Sequence, residues 1–194
     1  NDQKNDAYHA NDTCQLLIKV VDHYSSLSKL LNVIARLIRF MEATKSHVSP
    51  SSLQVHDYIS HAKTALIKHE QKRLNVSNLK PFEDDNGLLR VNSRLTDAKH
   101  LSFNEKFPII LPHNSQLTKL IIRNEHIISA HMNANYVLCK LRQQFWIIKG
   151  RKTVTNVIRQ CRKCKEENAQ PLVQEMANLP IERISPSFPF QHVG

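Results

Sequence analysis

HIISAHMNANYVLCKLRQQFWIIKGRKTVTNVIRQCRKC, residues 126–164, is the stretch whose reading decides the fold. It opens with His126 and His131, with four residues between them, and closes on Cys161 and Cys164 in a C-x-x-C pair. Two imidazoles and two thiols, delivered as close pairs far apart in the chain, suit a closed tetrahedral Zn²⁺ site. Each pair sets two ligands locally, and the metal closes the 29-residue loop between them. The histidine spacing imposes a condition. On a continuous helix five residues turn through about 500°, which leaves the two rings roughly 140° apart and unable to face one ion. The helix that carries His126 must therefore end near Ser129 or Ala130, with His131 in the turn. All four metal positions are then filled by protein, no position remains for a catalytic water, and the one Zn²⁺ is structural.

The flanking sequence supplies the helices for such a module. Ser115 is placed to cap a helix with Leu117, Leu120, Ile121 and Ile128 inward, and His126 lies on it. Asn133 or Asn135 starts a further helix to about Gln143, with Val137, Leu138 and Leu141 inward and Cys139 as a small buried apolar residue. Phe145-Trp146-Ile147-Ile148 is a short extended run expected over the zinc core, Trp146 included. Gly150 breaks that run, and Lys152 to Gln160 is helical, with Val154, Val157 and Ile158 on one side.

Further upstream the pattern changes twice. From Tyr24 to Met41 the residues Leu27, Leu30, Leu31, Ile34, Leu37, Ile38 and Met41 recur at three- and four-residue spacing, the mark of an amphipathic helix. Ser49 and Pro50 read as the cap and first position of a second helix running to about Leu74. Its buried side is Leu53, Tyr58, Ala62, Ala65 and Leu66, while His56, His61 and His69 read as solvated surface. Asp84-Asp85-Asn86-Gly87 is turn chemistry rather than a pair of metal carboxylates. Leu88 to Val91 is a strand, and Phe107 to Leu111, bracketed by Pro108 and Pro112, reads as an edge-type strand. The fold class is mainly α with a small β-hairpin or sheet. The expected units are a disordered tail (1–12), helices (13–80), a small β extension (81–113), the zinc module (114–170) and an extended, proline-bearing linker (171–194).

Charge sharpens the functional reading. The 194 residues carry a net charge of +10, which favours polyanionic partners. Residues 140–165 hold nine Lys or Arg and no Asp or Glu, whereas residues 1–80 hold eleven basic and seven acidic groups. The positive field therefore centres on the metal segment. Lys149, Arg151, Lys152, Arg159, Arg162 and Lys163 are the candidate phosphate contacts. No apolar run reaches the roughly 20 residues needed to span a bilayer, and no signal peptide is evident. The four cysteines are read as reduced thiols of an intracellular protein, nuclear or cytoplasmic, without a membrane or small-molecule partner.

PFEDDNGLLRVNSRL, FPIILP, LTKLIIRNEH, the His126/His131 pair, LRQQFWIIKGRKTVTNVIRQCRKC and LPIERISPSFPFQHVG together resemble the integrase region of Bel/Pao-type LTR retrotransposon polyproteins. YSSLSKLLNVIARLIRF and AKTALIKHEQKRL resemble the helical connector that precedes integrase there. The resemblance implies that His126, His131, Cys161 and Cys164 are the ligands of an H2C2 zinc-binding domain. It also implies DNA, as retroelement ends, and integrase subunits or other polyprotein parts as partners. Two positions depart from the family. Met132 stands where Gly usually follows the second His, and Asn92-Ser93 where Gly-Gly usually precedes the Arg of the strand. Both raise the expectation of altered turn geometry.

Integrases of this type catalyse with three carboxylates on a core domain that follows the zinc module. Here the last Asp is Asp97, and beyond Cys164 only Glu166, Glu167, Glu175 and Glu182 remain. The expectation is a non-catalytic module for DNA-end binding or integrase assembly. The alternative is a zinc-stabilised protein-interaction or oligomerisation module, in a degraded or host-adopted retroelement remnant, with no direct DNA binding.

Overall fold

A computed structural model describes residues 21–45, 55–72, 74, 79–186 and 188–191. The expected tail, Cys14, the Ser49–Pro50 cap and Leu53 lie outside these residues.

Two long helices come first. Leu27–Lys45 (α1) buries Leu30, Leu31 and Ile34, the centre of the apolar stripe read from its spacing, and Ala35 as well. Leu37, expected in that stripe, is exposed together with Phe40, because the buried face is narrower than the sequence stripe. Val55–Gln71 (α2) buries Tyr58, Ala62, Leu66, Ile67 and Gln71. Ala65 is only half-buried, and Ile67 takes the inward position beside Leu66. His56 and His61 are exposed and His69 is half-buried.

The strands build one four-stranded sheet in the order β1-β2-β3-β4. Pro81–Glu83 (β1) pairs antiparallel with Leu89–Val91 (β2), and β2 pairs antiparallel with Ile109–Leu111 (β3). Phe145–Ile147 (β4) then lies parallel to β3, in the register Ile109 to Phe145 and Leu111 to Ile147. Pro81 sits at the start of an edge strand, where its missing N–H removes no ladder bond. The 107–111 strand is not an edge. It is interior and all three residues are buried, since Pro108 and Pro112 fall just outside it and leave both sides of Ile109–Leu111 free to pair. Between β2 and β3 lies a one-turn helix, Phe103–Lys106 (α3), held by a reciprocal Ser102–Glu105 capping box.

The hairpin turn is fixed by Asp84. Its Oδ1 accepts from the backbone N–H of Asn86 (3.0 Å) and Leu88 (2.9 Å), and Gly87 takes the left-handed φ of 68°. Its Oδ2 accepts from Nε of Arg90, and both side chains are 6% exposed. Arg90 also donates through Nη1 to Asn104 Oδ1 (3.0 Å) and the Phe107 carbonyl (2.7 Å), and lies over the Phe103 ring. The DDNG segment is thus a turn, as its composition implies, and half of a buried ion pair besides.

The helices of the zinc region are Gln116–Ile128 (α4), Ala134–Arg142 (α5), Gly150–Arg159 (α6) and Arg162–Glu167 (α7). A last turn, Ile181–Ile184 (α8), follows an extended, exposed stretch. Ser115 caps α4 through Leu117 N–H, and Asn133 caps α5 through Tyr136 N–H. Ile128, expected on the inward side, is exposed at the end of α4. Gly150 opens α6 itself, two residues before the expected start at Lys152. Lys149 supplies the reversal with φ 53°, and a Cβ at Gly150 would approach Leu138 Cδ1 to 3.2 Å. Cys139 faces solvent on α5, opposite the Val137, Leu138 and Leu141 side that is buried. Trp146 is 37% exposed while Phe145 and Ile147 are buried, the alternation a one-face-covered strand requires.

One apolar cluster joins Leu30 and Ile34 of α1, Ala62 and Leu66 of α2, Leu111 of β3, Leu120 of α4, Val137 of α5 and Val154 of α6. The upstream helices therefore pack on the zinc region. Gln71 adds a polar tie between them. Its Nε2 donates to the carbonyls of Leu89 and Ile110 (2.9 Å each), and its Oε1 accepts from Leu89 N–H at 2.8 Å. Gln71→Leu leaves those three backbone groups without this partner, the Ile110 carbonyl in a buried place and the two groups of Leu89 in a half-buried one. Since each such group costs about 1–3 kcal/mol, the variant should lose several kcal/mol in urea unfolding. Gln71→Glu should also lose stability, since it removes both donated bonds and places a carboxylate against two carbonyls.

Candidate metal centre

Helix α4 runs to Ile128 and ends at Ser129, as the histidine geometry requires. Ser129 N–H bonds to the Glu125 carbonyl (2.8 Å), Ala130 N–H to Ile127 (3.1 Å) and His131 N–H back to the His126 carbonyl (2.9 Å). This closing loop places Ala130 and His131 at φ 50° and 61°, both left-handed. For residues with a Cβ that conformation costs on the order of 1–2 kcal/mol each. The cost returns the chain sharply, so that His131 faces back towards His126. Met132, Asn92 and Ser93 are not among the residues of positive φ, so the two departures from the family pattern require no strained backbone.

The second ligand pair is set by a helix start. Cys161 is the N-cap residue of α7 and Cys164 lies in that helix's first turn. Gln160 and Cys161 turn the chain out of α6 through N–H bonds to Val157 (3.1 Å) and Ile158 (2.9 Å). The apolar side of α6, with Val154 and Val157 buried, fixes where that turn falls.

The four side chains converge. His131 Nδ1 lies 3.1 Å from His126 Nε2 and 3.3 Å from Cys161 Sγ, and His126 Nε2 lies 3.2 Å from Cys164 Sγ. Cys164 Sγ is 3.7 Å from His131 Nδ1, and all four ligand atoms lie within 4.8 Å of one another. A tetrahedron with Zn–N near 2.0–2.1 Å and Zn–S near 2.3 Å has ligand–ligand edges of roughly 3.3–3.8 Å. The four separations of 3.1–3.7 Å are close to those edges. The two rings stand nearly perpendicular, at 84°, so each points a nitrogen at the common centre without stacking. His126 would serve through Nε2 and His131 through Nδ1. Among the described residues no other group of three or more His, Cys, Asp or Glu side chains is placed to hold a metal ion.

Electrostatics favour the ligand forms unequally. Burial lowers the His126 pKa, the nearby His131 lowers it further, and the Met132 backbone acts the other way. A neutral imidazole is the form that binds metal. Burial pushes the Cys164 thiol up, and Cys161 beside it adds to the effect. The protein's own field thus opposes thiolate formation at Cys164. A divalent cation at the centre is what stabilises the thiolate, since a coordinating thiol is deprotonated outright.

The six candidate phosphate contacts, Lys149, Arg151, Lys152, Arg159, Arg162 and Lys163, are all exposed. Arg162 pairs with Glu166 (2.7 Å) and Lys163 with Glu167 (4.0 Å) along α7. Lys149 and Lys152 line one recess beside α6, and Arg159 lines another, with Thr155 and Lys165. Lys119 of α4 completes the first recess. It lies thirty positions before Lys149, outside the basic run, and no local signal in the sequence marks it.

Among the described residues no helix is long and apolar enough to cross a membrane. Neither the curated proteins nor the solved structures compared with the chain include a match. Residues 113–170 match the sequence model of a family described as the integrase zinc binding domain, a type that is non-catalytic by itself. This segment is an integrase zinc-binding domain of the H2C2 kind, with His126, His131, Cys161 and Cys164 arranged to hold one structural zinc.

Proposed function

We propose that this zinc-folded module belongs to a Bel/Pao-type retroelement integrase and holds DNA ends, or helps assemble the integrase complex on them. In this reading residues 13–80 are its connector, 81–113 its β extension, 114–170 the zinc domain and 171–194 a linker. The module works in the nucleus or cytoplasm, and it contributes no catalytic group of its own. The observation that carries the reading is that all nine Lys and Arg of residues 140–165, a run without a carboxylate that includes two zinc ligands, are exposed. Contacts of lysine and arginine with phosphate are independent of sequence and weaken steeply with salt.

The test is a titration of zinc-loaded protein with a short labelled DNA duplex at several salt concentrations. The expected result is tight binding at low salt and a linear fall of log K with log salt. Absence of binding at low ionic strength would sink the proposal.

A specific observation supports the second reading, a protein-interaction module. Ile127, Ile128, Met132 and Tyr136 are exposed around the metal turn. If sedimentation finds a zinc-dependent oligomer, abolished by Ile128→Asp, while DNA is not bound, the interaction reading replaces the first.

A further inference from the structure

We propose that the recess between the start of α4 and the outer side of α6 is the seat of one strand of a DNA backbone. It has a volume of about 360 Å³ and is lined by Lys119, Lys149 and Lys152 with His113, Asn114 and Asn156. No carboxylate lines it. Among the described residues none of the three ammonium groups is held in an ion pair. Like charges gathered in one recess repel each other, and an anion seated between them relieves the repulsion. The amides of Asn114 and Asn156 add neutral donors of the kind that fix a phosphate without reading a base.

Shape narrows the ligand. The recess has a volume of only about 360 Å³, whereas the major groove of a duplex alone is about 12 Å wide. A duplex cannot enter, but one phosphodiester step of its backbone can. The neighbouring surface gives a direction. A second recess shares His113, Asn114 and Lys149 but also carries Asp22 and Glu70. A polyanion therefore leaves the seat along α6, over Lys152 and Asn156, and away from those carboxylates.

This assignment rests on the DNA-binding reading above but divides its candidate residues. Lys152 and Asn156, four apart, share one side of α6 with the recess, while Thr155 and Arg159, four apart, line the recess on another side. Arg162 and Lys163 are drawn to Glu166 and Glu167. The seat thus uses Lys119, Lys149 and Lys152, and leaves Arg159, Arg162 and Lys163 outside it.

The experiment compares two variants of the full zinc-loaded chain by salt-titrated duplex binding, with zinc content and circular dichroism recorded for each. Lys119→Gln/Lys149→Gln/Lys152→Gln should lower the slope of log K against log salt by about 2–3, near 0.9 for each phosphate that is no longer neutralised. Affinity at low salt should fall at least tenfold. Arg159→Gln/Lys163→Gln should change the slope by less than the share of one phosphate. A triple variant that keeps the wild-type slope, or an Arg159/Lys163 variant that takes the whole loss, overturns the seat and leaves DNA binding standing. Failure of the wild type to bind duplex at any salt removes both. Should the triple variant lose its zinc, Lys119→Gln alone decides. Lys119 is exposed and outside the core, and a slope unchanged from wild type in that variant refutes the seat.

Discussion

Cys161→Ser should strip the zinc from the protein and unfold residues 113–170. Metal analysis of the wild type should give one zinc per chain, and the variant none. Structural zinc in small modules binds with an apparent free energy on the order of 10–16 kcal/mol at pH 7, far more than a segment of this size derives from its own core. The ligands explain why so much rests on the ion. Without it, the buried His126 Nε2 faces the Cys164 thiol at 3.2 Å and His131 Nδ1 at 3.1 Å with no cation between them. The left-handed backbone at Ala130 and His131 adds strain that only the closed site offsets. His126→Ala should act in the same direction. Far-UV circular dichroism during chelation reads the effect, and a chelated protein with unchanged helix content and melting temperature would defeat the argument.

Acid should have the same result. His126 has a folded-state pKa below its unfolded value, so the fold is favoured fully above the ordinary histidine range. That contribution is lost as pH falls through the range, because the unfolded chain then takes up the proton more readily. Proton competition for the two thiolates works in the same sense. Zinc release and loss of helix should therefore coincide on acidification, well before the carboxylates titrate.

Asp84→Ala is the second large effect, about 3–5 kcal/mol, the usual cost of removing one partner of a buried ion pair. Arg90 would keep its charge with almost no access to water, and the N–H groups of Asn86 and Leu88 would lose their acceptor. Asp84→Asn retains an acceptor for the turn but not the charge, so it should lie between wild type and alanine in urea unfolding. Equal stability of all three proteins would show that the pair contributes nothing. The pH dependence is separate from that of the zinc. Burial pushes the Asp84 carboxyl up, but the Arg90 bond, the backbone N–H donors and the Arg90 charge outweigh it and hold the pKa below the ordinary carboxylate value. The stabilisation is present above that ordinary value and disappears as pH falls through the depressed one. A wild-type protein should thus lose stability in two steps on acidification, and Asp84→Asn should lack the lower one.

Local features are legible in the sequence. The two ligand pairs lie within six and four residues, so their spacing alone demands a helix end before His131, and Ser129 is where it falls. The turn at Asp84 is equally plain. Pairing between distant segments is not legible. Nothing near Phe145 says that it lies parallel to Ile109, and nothing in α2 says that Gln71 reaches Leu89 and Ile110. Such contacts depend on tertiary packing, which also decides which side of a short helix is covered. Cys139 and Leu37 defy expectation for that reason, since each sits beside a real apolar stripe and just outside the part of it that is buried. Charge clustering along the chain is likewise blind to packing, since it passes over Lys119, which lines one recess with Lys149 and Lys152.

The parallel pairing of β3 with β4 separates two meanings of the word module. The stretch that matches the integrase zinc binding domain begins at residue 113, but the strand against which Phe145–Ile147 pairs ends at Leu111. What is recognisable as an inherited unit is therefore shorter than what is self-sufficient as a folding unit. An excised 113–170 peptide would carry its metal ligands intact and still present a raw strand margin and a bare apolar floor. Both would be open to strand exchange with a neighbouring copy.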